Sequence, residues 1–125
     1  MNHFNRPTVV PWSLLIIEVV IFVLFWVQWL WDPPLCMRWA IDDWHSPQLA
    51  LHWMLHADGL HMTWNMIFLW VYGSTLISKS GNTGFISVLT CSIVTGGIAH
   101  SHFDGDLAVG ISTGIRGLMG FLLIV

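Results

Sequence analysis

The chain has 125 residues, 55% of them hydrophobic and 9% charged, where soluble domains carry roughly a quarter charged residues. That excludes a water-soluble globule, and nine Trp, seven Phe and long Ile/Leu/Val runs exclude a disordered chain. Four Lys and Arg against seven Asp and Glu give a net charge of −3, so no basic stripe exists to neutralise phosphates and no nucleic-acid partner is expected. What remains is an all-α polytopic membrane protein with the lipid bilayer as its solvent. A crossing needs about 20 residues, so the length allows about four.

Residues 1–10 read as a short cytoplasmic N-terminus and 11–125 as one membrane domain. The first span covers about residues 11–31, opened by Pro11 and ended by Asp32-Pro33-Pro34, because proline neither donates its amide nor continues a helix. Trp12 at one end and Trp26, Trp29 and Trp31 at the other read as interfacial belts. The segment is too long for the apolar part of a signal peptide and no small-residue cleavage site follows, so it reads as an anchor. Glu18 lies at its middle, where a charge costs roughly 2.5 kcal/mol or more; a protonated acid bonded to a neighbouring helix is the reading preferred over a proton or substrate site.

The stretch from Leu35 to Leu60 holds Met37, Trp39, Trp44, Trp53 and Met54. It is too apolar for a solvated loop and too interrupted to cross, so it is expected to lie in the outer interface as an amphipathic structure. The second span covers about residues 60–77 and stops before Ser78-Lys79-Ser80-Gly81; the third, 84–99, and the fourth, 107–125, are richer in glycine and flank the polar stretch from His100 to Asp106. Arg6 and Lys79 mark the cytoplasmic side while Arg38 disagrees, giving a multi-pass protein, expected in the cell membrane, with its N-terminus in the cytoplasm. Cys36 and Cys91 stand far apart and make no disulfide framework.

Two constellations stand out. His52 and His56 are four apart, as are His61 and Asn65, with the turn signal Asp58-Gly59 between the pairs. Three readings stay open for them: a metal site with His100, His102, Asp104 and Asp106 as further ligands, hydrogen-bond donors for an oxyanion, or histidines that satisfy loop backbone. Small residues recur at Gly110, Gly114, Gly117 and Gly120 around Ser112. They read either as a packing face, with Ser112 bonded back one turn, or as the approach to a serine nucleophile.

Together these residues resemble the rhomboid family of intramembrane serine proteases. His56, His61 and Asn65 followed by Phe68-Leu-Trp-Val-Tyr-Gly73 match the signature of its second helix, and Gly110, Ser112, Gly117, Leu118 and Gly120 match its serine motif. The resemblance implies a rhomboid-like six-helix bundle of which four helices are present. It implies Ser112 as nucleophile and His61 and Asn65 as oxyanion donors assisted by the Ser112 amide. His52, His56 and Gly110 would be structural, with no metal and no cofactor. The implied reaction is hydrolysis of a peptide bond in or beside the membrane helix of a transmembrane protein substrate, in a water-filled cavity open to the outer side.

Four positions depart from the pattern. The family's base is a histidine on its sixth helix, whereas no histidine follows His102 and the chain stops 13 residues past Ser112. Thr113 replaces a glycine where substrate would pass, Arg116 stands where an aromatic residue stacks on the base, and Ile77 takes the place of a buried glutamate. The expectation is therefore an incomplete rhomboid protease, inactive as the 125 residues alone, since losing a triad-type member removes most of the rate. The alternatives are a rhomboid-like non-enzyme that binds client helices and a histidine-ligated metal or haem membrane protein.

Overall fold

The computed structural model describes residues 8–31, 35, 38, 40, 47–103 and 109–125. Arg6, Asp32-Pro33-Pro34, Cys36, Met37, Trp39, Trp44, Asp104, Asp106 and residues 107–108 of the expected fourth span lie outside that set. The described residues are all helical or irregular, without strands. In chain order, α1 is Trp12–Trp31, α2 is the single turn Gln48–Leu51 running into a 3₁₀ turn at His52–Met54, α3 is Gly59–Phe103, and α4 is Ser112–Ile124. Helices α1 and α3 are long and apolar enough to cross a membrane; α4, at 13 residues, is shorter.

Helix α3 is broken at one residue, Gly81, whose φ of 73° and ψ of 178° lie outside the helical region. A side chain at that φ is strained and glycine is not. The chain reverses there: Gly73 packs against Phe85 and Leu14, although twelve residues of unbroken helix would separate the first two by about 18 Å. The linker expected at residues 78–81 is thus almost wholly helical, and the second and third apolar segments form a tight hairpin of residues 59–80 and 82–103. Each arm is about 33 Å long at 1.5 Å per residue, close to a hydrocarbon thickness.

Helix α1 runs along the hairpin and is tied at both ends. At its start the Ser13 N–H and hydroxyl both donate to Asn82 Oδ1, at 3.2 and 2.6 Å, and Asn82 Nδ2 donates to the Val10 carbonyl at 2.9 Å. At its far end Gln28 Nε2 donates to the His56 carbonyl at 3.2 Å, and Phe25 closes on Gly59. Between them Leu14, Ile21 and Phe25 enter one apolar core with Leu69, Leu76, Phe85 and Leu89. The outward face carries Ile16, Val19, Phe22, Val23 and Trp26, all exposed; an unbroken apolar surface of this kind is a lipid-facing surface. The acid bonded to a neighbouring helix expected at Glu18 is not seen: its Oε1 is buried without a hydrogen-bond partner among the described residues.

Within the small-residue stripe of α4, Gly114 and Gly117 form a packing face, whereas Gly120 meets none of the described atoms. Gly114 meets Leu89 and Ile93, and Gly117 meets Ser92, so the helix lies close against residues 82–103. The helix starts at Ser112 rather than at 107, because Gly110, at φ 103°, cannot be helical.

Candidate active site

The helix ends opposite the Ser13–Asn82 clamp converge on the histidine cluster. Leu55 is extended after the 3₁₀ turn, so His52 and His56 do not share a helical face. His52 Nδ1 lies 3.0 Å from the carbonyl oxygens of both Gln48 and Leu49; both are acceptors, so this nitrogen carries the proton. Burial holds the His52 imidazole below its usual range, against the opposing pull of those two carbonyls. His56 is fully buried, and neither ring nitrogen has a partner among the described residues. Burial, reinforced by His61 and opposed by Asp58, pushes its pKa from 6.5 down to about 4. Its ring meets that of His61 edge-on at 5.2 Å.

Asp58 caps α3. Its Oδ1 accepts from the His61 N–H at 2.7 Å and its carbonyl from the Met62 N–H at 3.1 Å, satisfying first-turn donors that have no partner within the helix. His61 thereby sits in the first turn, with Asn65 one turn further along the same face. Asn65 is buried and its Nδ2, a donor, has no acceptor among the described residues.

Gly110 joins the two halves of the site. Its N–H donates to the His52 carbonyl at 2.7 Å, and a side chain placed on it would meet His61 Cε1 at 3.1 Å and His56 Cδ2 at 3.3 Å. Ser112 follows as the first residue of α4, whose N-cap residue Ile111 makes no side-chain cap, so the amides of the first turn stay free. Ser112 and Asn65 line one cleft of about 420 Å³ with Phe68, Tyr72, Ile115 and Arg116. Each helix contributes a stripe at helical spacing; the Phe68 and Tyr72 rings stack along one wall, and Trp64, outside the lining, stacks on Phe68. The Ser112 hydroxyl has no hydrogen-bond partner among the described residues, in contrast to the back-bonded serine that was the alternative.

The structure corrects one expectation and narrows another. Thr113 does not line the Ser112 cleft: it packs on Gly96 and borders a neighbouring recess with Ala99, His100 and Arg116, because it lies about 100° round α4 from Ser112. The described residues contain no group of three His, Cys, Asp or Glu placed to hold a metal ion, which leaves the metal reading without a ligand set among them. Ile77 is buried in the apolar core. Arg116 is exposed at the cleft, one turn below Ser112.

The family model described as Rhomboid domain matches residues 43–125. The chain belongs to the rhomboid family. Rhomboid proteins are generally serine intramembrane proteases, and the apolar exposed faces of α1 and α3 accord with an integral membrane protein. Within this rhomboid chain, sequence reasoning overlooked the polar clamps at Ser13, Gln28 and Asn82. Gln28 was visible as one of three polar residues, with Ser13 and Glu18, in a mostly apolar span, and Asn82 as a hydrogen-bonding residue directly after a glycine.

Proposed function

We propose that Ser112 is the nucleophile of an intramembrane peptide hydrolysis, with His61 and Asn65 as donors to the oxyanion. The carrying observation is that Asn65 Nδ2, buried and without an acceptor among the described residues, lines the same cleft as Ser112. A buried donor left unmatched costs about 1–3 kcal/mol, and an oxyanion formed above Ser112 is the partner that would recover it. In this reading Ser112 Oγ attacks the scissile carbonyl carbon as its proton passes to a base. The carbonyl oxygen takes the negative charge and accepts from Asn65, His61 and the free Ser112 amide. Collapse expels the amine, which takes the proton, and water then hydrolyses the acyl ester.

The residues cross the bilayer along α1 and both arms of α3, with the N-terminus cytoplasmic, and α4 enters from the outer side. His52, His56 and Gly110 are structural: they seat the loop that delivers Ser112. The substrates are transmembrane proteins, and the 125 residues alone cut none, since the family's base histidine is not among them. A fluorophosphonate probe tests this directly. Ser112 should label slowly, be accelerated by added neutral imidazole acting as the base, and fail to label as Ser112→Ala. Asn65→Ala should slow labelling roughly 10²–10³-fold. Labelling that never exceeds that of Ser112→Ala, with imidazole present, refutes the reading in favour of a rhomboid-like binder of client helices, the role to which Arg116 would also suit the cleft.

A further inference from the structure

Among the residues lining the Ser112 cleft, Arg116 carries the one formal charge; the others are Asn65, Phe68, Tyr72, Ser112, Ile115 and Met119. The cleft therefore offers a guanidinium, an unmatched amide donor and a hydroxyl, set between aromatic and aliphatic walls and with no carboxylate. Arg116 makes no ion pair among the described residues, whose only acids are Glu18 in α1 and Asp58, engaged as the cap of α3. An arginine at membrane depth is costly unless it finds an anionic partner, and its planar fork matches a carboxylate bidentately.

We propose that Arg116 recognises an acidic residue in the bound substrate segment, a specificity that rests on reading Ser112 as the nucleophile. The distance sets where that residue lies. Arg116 is one turn along α4 from Ser112, about 6 Å, and an extended peptide covers that in about two residues. An Asp or Glu about two to four positions from the scissile bond reaches the guanidinium. Arg116 stands between the Ser112 cleft and the neighbouring recess of Gly96, Ala99, His100 and Thr113; because it shares the cleft lining with Ser112 and Asn65, a segment seated at Ser112 lies within its reach, which favours a peptide partner over a lipid headgroup.

The test uses the 125-residue chain in nanodiscs of zwitterionic lipid and single-span peptides carrying a dansyl group, read by energy transfer from the protein's tryptophans. Asp is scanned through the outer half of the peptide, each variant paired with its Asn counterpart. Asp at one or two adjacent positions should bind roughly tenfold tighter than Asn there. Arg116→Gln should abolish the preference, Arg116→Lys should keep part of it, and Arg116→Glu should invert it toward Lys-bearing peptides, an inversion that a misfolded variant cannot show. Equal binding of Asp and Asn peptides at every position overturns the proposal. So does an Arg116 dependence that emerges only when anionic lipid is added, which identifies a headgroup phosphate instead. Ser112 labelling without an Asp preference defeats the recognition alone, and an Asp preference without labelling defeats the protease reading alone.

Discussion

The Gly110 N–H donates to the His52 carbonyl at 2.7 Å, so the turn preceding the donor-bearing arm holds the loop that delivers Ser112. Both partners are backbone groups, which makes the glycine's conformation, at φ 103°, the variable that sequence controls.

Gly110→Ala combines a strained φ with a methyl group against His61 and His56. A non-glycine residue in such a region costs about 1–3 kcal/mol. Thermal unfolding in nanodiscs should show that loss, and imidazole-assisted labelling of Ser112 should fall with it.

Stability should decline on acidification because of His56. Its folded pKa, about 4, lies below the unfolded 6.5, so the unfolded state binds more protons between those values and stability rises with pH across them. The contribution is complete above about pH 6.5 and is lost as pH falls toward 4, at most about 3 kcal/mol in total. His52 is shifted in the same direction. Denaturant midpoints measured from pH 8 to pH 4 should fall, and His56→Phe should flatten most of the slope.

Gly117 and Gly120 should respond oppositely to alanine. A methyl group at Gly117 meets Ser92, whereas none of the described atoms lies within 4 Å of one at Gly120. Overpacking costs typically about 1–3 kcal/mol, while replacing an unhindered helical glycine gains about 0.5–1 kcal/mol. Gly117→Ala should lower the unfolding midpoint and Gly120→Ala should raise it; Ser92→Gly should restore part of the loss.

Asn82→Ala removes three hydrogen bonds at the start of α1 and should cost about 1–3 kcal/mol. Asn82→Asp keeps the acceptor for Ser13 and loses only the donor to Val10, so its midpoint should fall between wild type and alanine.

Much of this arrangement was readable in advance because its signals are local. The turn at Asp58-Gly59, the four-residue spacing of His61 and Asn65, and the glycine stripe of α4 each act within one or two turns of chain, and each occurs where expected. What escaped depends on partners distant in sequence. Gln28 and Asn82 look incidental until α1 is laid along the hairpin, and Thr113 looks obstructive until Gly96 is seen to receive it. Glu18 shows the reverse: its cost in a membrane was legible, but the hydrogen bond expected to offset it is not formed by Oε1 with any described residue.

The single-residue reversal at Gly81 also fixes a phase. With no slack between the arms, one residue inserted into the helix directly after Gly81 would rotate the residues beyond it by about 100° and shift them by about 1.5 Å relative to residues 59–80. Gly96 would turn away from Thr113 and Ser92 from Gly117. The alignment of Ser112 with Asn65 is therefore set from the opposite end of the molecule, by the length of a turn that touches neither.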